Sequence, residues 1–246
     1  MESYNYFATV YDRMMDNIPY EEWEQYILQL LYVGGVAPDA KITEIGCGTG
    51  MMTGMLADEG FSMTGIDLSE SMLKMAKAKR NDINYINMDM RDIHLSEKQD
   101  VIFSVGDCMN YLLTIDDLSK TMKSARDNLK KNGLLIFDLK TEHFFKSQLD
   151  KYTYKEDLKD FSYVWKNSYD ENKHIHYYYL WFKHKTKDGI KRETEIHKQR
   201  AFFAKDIKEA ALMAGFSHAC AYDAFTFDKP KMQSERIYIV LRNNYS

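Results

Sequence analysis

Glu44-Ile45-Gly46-Cys47-Gly48-Thr49-Gly50 follows a strand-like run, Lys41–Gly46, and opens a helical stretch, Met51–Glu59, that Gly60 closes. Glycines at such a junction let the backbone turn sharply and let a ligand approach the main chain closely. They also leave N–H groups at the helix start free to meet polar ligand atoms. A dinucleotide loop would read G-x-G-x-x-G, but the position five after Gly46 is Met51 and the third glycine stands one residue earlier, at Gly50. That spacing counts against a nicotinamide cofactor. A strand-to-helix turn without a ligand is the alternative.

Working outward, the second strand, Ser62–Asp67, ends in Gly65-Ile66-Asp67-Leu68-Ser69. An acidic side chain there can accept hydrogen bonds from both hydroxyls of a ribose, as in nucleotide-binding α/β folds, or it can serve the turn itself. A third strand, Ile83–Asn87, leads into Asn87-Met88-Asp89-Met90-Arg91-Asp92. Beside the same crevice, Asp89 can accept from an exocyclic adenine amine; otherwise it is a solvated loop carboxylate.

The remaining pattern alternates helix and strand. Residues 3–15 and 20–33 read as helices split by Pro19, with Tyr4, Phe7, Ala8 and Tyr11 at helical spacing. Ser69 caps a helix running to Arg80, Asp100–Val105 is a fourth strand, Asp116–Lys131 a helix stopped by Asn132-Gly133, and Leu134–Leu139 a fifth strand. Short apolar strands between helices predict an α/β fold with a doubly wound, mostly parallel sheet covered on both faces. The pattern then changes. Phe161–Asp170, Lys173–Thr186 and Ile190–Ala204 are strand-like, the last two joined at Lys187-Asp188-Gly189, a hairpin signal. Helix-strand alternation resumes with Lys205–Ala214 and strands near Phe216–Ala224 and Arg236–Arg242. The expected organisation is a core of 1–149 and 205–246 with an antiparallel insertion at 150–204.

Composition agrees with one sizeable domain. The chain has 246 residues, 28% charged and 45% apolar, which excludes collagen-like, disulfide-rich and disordered classes. There is no apolar run long enough for a membrane helix and no signal-peptide pattern. Three scattered cysteines without a CxxC pair predict a reducing, cytoplasmic setting. Charge is uneven: residues 1–150 carry a net −9 and 151–210 a net +4. The latter segment also holds 13 of the 34 aromatic residues, so the two segments have different tasks.

The chain resembles the class I S-adenosylmethionine-dependent methyltransferases. The resemblance rests on EIGCGTG (44–50), GIDLS (65–69), NMDMRD (87–92), VIFSVGD (101–107) and NGLLIFDL (132–139). It implies a seven-stranded sheet of order 3-2-1-4-5-7-6 with the last strand antiparallel, and S-adenosyl-L-methionine as cofactor. By this likeness Gly46, Cys47, Gly48 and Gly50 hold the methionine part and Glu44 acts near its amino group. Asp67 binds the ribose, Leu68 lies against the adenine, Asp89 and the Met90 backbone read the adenine edge, and Gly106 completes the cofactor site. Tyr6-Phe7-Ala8-Thr9-Val10-Tyr11-Asp12 is similar to an N-terminal helix of sugar-amine N-methyltransferases and relatives of glycine N-methyltransferase. That likeness implies Tyr11, and with it Tyr6, near the reacting centre. The insertion resembles the substrate-covering sheet of those enzymes, with Trp165 and Tyr179 toward the acceptor. Its aromatic alternation also suits the sheet's own core or a homodimer interface.

The implied function is methyl transfer to a small-molecule acceptor, an amine in preference, by direct displacement. His143, beyond the fifth strand, is a candidate base at the ligand-binding edge, or a surface residue at a helix start. Asn110 and Asp107 follow the fourth strand and face the same crevice by topology. His174 and His176 share a strand face without a third ligand, so no metal site is expected. Lys183–Arg192 places five positive charges at a hairpin tip, which suits an RNA-contacting arm or a guard against strand-edge pairing. The acidic core argues against nucleic acid as substrate. A cofactor-binding module without turnover is the non-enzymatic alternative, but the glycines and both acidic residues are intact.

Overall fold

The computed structural model describes residues 6–187 and 189–244. The start of the expected first helix, including Tyr4, and Asp188 of the hairpin turn lie outside the described residues. The elements in chain order begin with α1 (Phe7–Met14), α2 (Tyr20–Val33), β1 (Lys41–Ile45), α3 (Met51–Asp58), β2 (Ser62–Asp67), α4 (Glu70–Lys79) and β3 (Asn84–Asn87). There follow β4 (Gln99–Ser104), a 3-10 turn at Cys108–Tyr111, α5 (Ile115–Asn128), β5 (Leu129–Lys140), α6 (Glu142–Phe144) and a π-turn at Phe145–Leu149. The rest is β6 (Thr153–Asp157), β7 (Phe161–Asp170), β8 (Ile175–Thr186), β9 (Gly189–Arg200), α7 (Ala204–Met213), β10 (Ala219–Asp223) and β11 (Arg236–Arg242).

One sheet has the order β10-β11-β5-β4-β1-β2-β3 and is parallel except for β11, which runs antiparallel to both neighbours. This is the expected 3-2-1-4-5-7-6 arrangement. Successive apolar side chains of the buried strands point to opposite faces. Phe103 and Ile136 therefore pack under α2 with Trp23, Ile27 and Leu30, while Ile102, Leu135 and Phe137 pack under α5 and α7. Two apolar layers of this kind hold the carboxyl ends of β1, β2 and β4 at one edge.

The second sheet is antiparallel, in the order β6-β7-β8-β9. Its inner face covers Phe7, Val10 and Met14 of α1 with Phe161, Leu180 and Phe182. Next to that, Tyr169 and Tyr178 pack on Phe145 of the π-turn. Three details differ from the sequence reading. Strand β6 has weak alternation and was not expected. Helix α5 stops at Asn128 because buried Leu129 already begins β5. Asn132 and Gly133 lie inside that strand, where Asn243 pairs with both: Asn132 N donates to its carbonyl at 2.7 Å and its N–H donates to Gly133 O at 2.9 Å. Among the described residues no helix is long and apolar enough to cross a membrane.

Candidate active site

Gly46 leaves β1 with φ +72°, and its N–H donates to Ile66 O at 2.7 Å, tying the loop to the end of β2. A Cβ on Gly46 would stand 2.8 Å from both Cβ and Sγ of Cys108, so the loop and the turn after β4 close on each other. Gly48, φ +53°, has nothing within 4 Å of its Cβ position: its main chain is bare toward the crevice. Its N–H donates to Asp67 Oδ2 at 2.8 Å, and Ser69 N donates to Asp67 Oδ1 at 2.8 Å. Burial raises the Asp67 carboxyl above its ordinary value, while N–H bonds from Ser69, Gly48 and Leu68 pull it down. Asp67 thus braces the loop and keeps lone pairs for further donors. Beside it Leu68 is 67% exposed, an apolar surface next to a ribose-type acceptor. Gly50 opens α3 against the Tyr85 hydroxyl.

Glu44 sits in β1 below the loop, 3% exposed. Its Oε2 accepts from the Thr53 hydroxyl. Burial pushes its carboxyl up to about 8, with Asp67 adding to the rise and the Thr53 bonds opposing it. No ion pair engages Glu44 among the described residues, so burial keeps its carboxyl protonated at neutral pH.

Asp89 and Met90 lie beyond β3. The Asp89 carboxylate accepts from Arg91 Nη2 at 2.7 Å, and Arg91 reaches Asp117 at 3.2 Å. This bond holds the Asp89 carboxyl below the usual range. Met90 reaches the loop itself, its Cε 3.7 Å from the Gly46 Cβ position.

Helix α1 crosses the mouth. Asp12 takes a 2.6 Å bond from the Thr49 hydroxyl and pairs with Lys79 of α4 at 2.5 Å. The Tyr11 ring stands 5.2 Å from Phe7. Burial raises its phenol well above the usual value, and Tyr20, Cys108, Asp107 and Tyr111 add to this from around it. Tyr11 therefore stays protonated at the crevice. Tyr6 points elsewhere, stacked at 3.9 Å on His184 of the second sheet.

The floor is an ionic cluster. Gly106 and Asp107 turn the chain out of β4, and Asp107 accepts from Arg236 Nη2 at 3.0 Å and Gln199 Nε2 at 2.7 Å, with Lys140 Nζ at 3.1 Å. Burial alone would raise the Asp107 carboxyl, but Lys140, Arg236 and Gln199 hold it below the ordinary range. Gln199 in turn accepts from the buried Tyr178 hydroxyl at 2.7 Å. Asn110 is fully buried; it donates to Lys140 O and Arg200 O and accepts from Lys140 N. Its amide therefore clamps β5 to β9. His143 lies in α6 at the carboxyl end of β5, half-buried, beside Glu142, which accepts from Tyr169 at 2.9 Å.

Trp165 and Tyr179 are not brought together. Trp165 pairs with Leu180 and Lys166 with Tyr179, so the two rings occupy opposite faces of the second sheet. Trp165 faces inward, 6.3 Å from Phe7 and 5.6 Å from Tyr178. Tyr179 faces outward, stacked between Tyr177 and Trp181. The sequence reading gave no role to Asp12, Tyr178 or Gln199. Asp12 is signalled by the same Phe-Ala-x-x-Tyr-Asp run as Tyr11. Gln199 carries no local signal, since its partner is 92 positions away.

The edge thus gathers a buried carboxyl at Glu44, an Asp67 carboxylate with lone pairs to spare, the exposed apolar Leu68 and a glycine loop with open space at Gly48, a set that a nucleoside carrying an amino-acid chain would fit. Residues 42–133 match the family model described as "Methyltransferase domain". A Bacillus subtilis (strain 168) protein named "Putative methyltransferase YqeM" is 34% identical over 244 residues, spanning 96% of this chain and 95% of the relative. The crystal structure of an S-adenosylmethionine-dependent methyltransferase from Clostridium acetobutylicum ATCC 824 superposes with a TM-score of 0.81 at 25% identity, covering 97% of this chain and 98% of that one. The sugar N-methyltransferase KedS8 from Streptoalloteichus sp ATCC 53650 shares the fold at 15% identity, TM-score 0.77, over 96% and 92% of the two chains.

Proposed function

We propose, from the premise that this chain belongs to the S-adenosylmethionine-dependent methyltransferase family, that it methylates a small-molecule amine held between the sheet edge and the second sheet. The carrying observation is the meeting of the Gly46–Gly50 loop and Asp67 with α1 and an aromatic-lined sheet face. The description of KedS8 as a sugar N-methyltransferase supports an amine, because the shared fold extends over the second sheet as well.

The cofactor supplies a methyl group on a sulfonium. The chain's task is to place an acceptor in line behind that carbon and to exclude water. In this reading Gly46, Cys47, Gly48 and Gly50 border the methionine part, Glu44 balances its ammonium, and Asp67 takes the ribose diol. Leu68, Asp89 and Met90 border the adenine, and Gly106 with Asp107 closes the floor. The Tyr11 hydroxyl, kept protonated, donates or accepts at the acceptor, and Trp165 with the inner face of residues 150–204 forms the lid. Aromatic faces near a sulfonium also stabilise its charge. An attacking amine must be neutral, and His143 at the same edge takes its proton.

Calorimetry with S-adenosylmethionine, followed by turnover with amines, sugar nucleotides and phenols, tests this. Binding with turnover of amines is expected. Absence of cofactor binding overturns the whole assignment, and turnover of phenols alone overturns the amine. A His143→Ala enzyme with an unchanged pH–rate profile overturns the base.

A further inference from the structure

We propose that the solvent-facing side of the β6–β9 sheet is a docking face for single-stranded nucleic acid, separate from the crevice on its inner side. Strand alternation puts Tyr177, Tyr179 and Trp181 in one outward row, with ring centroids 6.2 and 6.1 Å apart and planes 15° from parallel. Trp181 is 40% exposed and its neighbour Ile196 51%. Around this row stand six exposed cations drawn from all four strands: Lys155, Lys166, Lys183, Lys185, Arg192 and Lys198. Among the described residues none of the six joins an ion pair. By contrast Lys191, next to Arg192 but on the other face, pairs with Glu193 at 2.6 Å. The carboxylates on the outer side are at strand ends, Asp157 and Asp170, and Lys173 already holds Asp170 at 3.2 Å.

The arrangement works against the sheet's own stability. Lys183 and Arg192 are direct cross-strand partners, and like charges so placed are destabilising. A polyanion removes that repulsion. Lys198 Nζ, 5.7 Å over the Tyr177 ring, shows cations and rings interleaved rather than segregated. Cations flanking a row of aromatic rings on a sheet suit a strand of nucleic acid, which presents phosphates and planar bases alternately. A second copy of this chain is the poorer occupant: a two-fold contact would set the same cations against each other. The face lies on the opposite side of the sheet from Trp165, so this inference is independent of the acceptor.

The test uses the whole chain and a fluorescein-labelled oligouridine of about 20 nucleotides, longer than single-domain site sizes. Anisotropy should report binding at low salt, weakening with a log–log slope of about −0.7 per phosphate contacted, or roughly 50-fold for four contacts between 50 and 200 mM. Oligouridine should also quench tryptophan emission in wild type and not in Trp181→Phe. The triple variant Lys166→Glu, Lys183→Glu, Lys198→Glu should lose at least about tenfold in RNA affinity with unchanged affinity for S-adenosylhomocysteine. No binding at low salt, or equal binding by the triple variant, overturns the proposal. So does preference for phosphatidylserine vesicles over oligouridine, or a sedimentation-defined dimer that blocks Trp181 quenching. The S-adenosylhomocysteine titration stands apart from these outcomes, so failure of the methyltransferase reading is seen separately.

Discussion

Asp12 of α1 accepts a 2.6 Å hydrogen bond from the Thr49 hydroxyl in the glycine loop, which couples the helix across the crevice mouth to the loop beneath it. Lys79 holds the other Asp12 oxygen at 2.5 Å, so three elements meet at one carboxylate. Hydrogen bonds to charged groups contribute about 1.5–3 kcal/mol. Asp12→Ala should therefore weaken cofactor affinity by about tenfold or more and raise hydrogen exchange in α1. Calorimetry and exchange mass spectrometry check both, and unchanged exchange in α1 would show that apolar packing on Phe161 and Phe182 holds the helix alone.

In the role proposed for it, Glu44 should make cofactor capture proton-linked. Its folded carboxyl is pushed up to about 8 by burial. Above the ordinary carboxylate pKa the unfolded chain releases this proton while the folded chain keeps it. Stability from this group therefore falls as pH rises toward 8 and then levels off. An ammonium beside Glu44 lowers its pKa, so binding should release close to one proton at pH 7 and, below pH 8, tighten by up to about tenfold for each unit that the pH rises. Titrations in buffers of different ionisation enthalpy measure the proton count. Glu44→Gln should release none, bind more weakly, and lose the decline in stability with pH.

Asp67 braces the loop, and the proposed function gives it the ribose as well. It braces Gly48 and Ser69 through 2.8 Å bonds and offers acceptors to a diol. Asp67→Asn keeps one carbonyl acceptor but turns the other position into a donor. Cofactor affinity should fall at least about tenfold, the scale of one lost charge-assisted bond, with the far-ultraviolet circular dichroism unchanged. Undiminished affinity would place the ribose elsewhere.

The glycine loop and the strand ends were legible because their signals are local. Gly46, Gly48, Gly50 and Asp67 stand at strand ends, where a turn and a ligand both leave their marks within a few residues. The strand order followed from resemblance to a family rather than from periodicity. What stayed hidden depends on register. The turn between β7 and β8, with His174 at φ +55°, decides that Trp165 and Tyr179 face opposite sides; a one-residue slip would exchange faces. Asn110 looked like a ligand-facing polar residue because topology puts it at the sheet edge. Only the approach of Arg200, 90 positions on, turns it into a main-chain clamp.

Arg236 keeps the floor of the crevice folded. Its guanidinium contacts Asp107 at 3.0 Å and also pairs with Asp138, whose side chain is fully buried. Removing one partner of a buried pair costs about 3–5 kcal/mol, because the remaining charge loses its compensation. At roughly 2–4 °C per kcal/mol for a chain this size, Arg236→Met should lower Tm by about 10 °C. The sign with pH follows from Asp107, whose folded pKa is depressed. Its contribution is present above the unfolded carboxylate pKa and is lost as pH falls through the lower, folded value. Thermal melts across the acid range should show the variant's deficit shrinking on acidification, and a constant deficit would assign the loss to the guanidinium's packing over the Trp23 ring, 4.9 Å away.

Gly46 and Gly48 should separate folding from binding. Both have positive φ, a conformation that costs an ordinary residue about 1–2 kcal/mol. At Gly46 a methyl adds a collision at 2.8 Å with the Cys108 side chain, so the loop or the turn after β4 must move. Gly46→Ala should therefore lose both stability and cofactor binding. At Gly48 the methyl meets nothing within 4 Å, so the folded chain has room for it. That empty space is where the proposed ligand lies. Gly48→Ala should cost only the backbone penalty, about 3–6 °C in Tm, while cofactor affinity falls by more than tenfold. Equal affinity in Gly48→Ala and wild type would mean that the ligand does not run along this part of the loop.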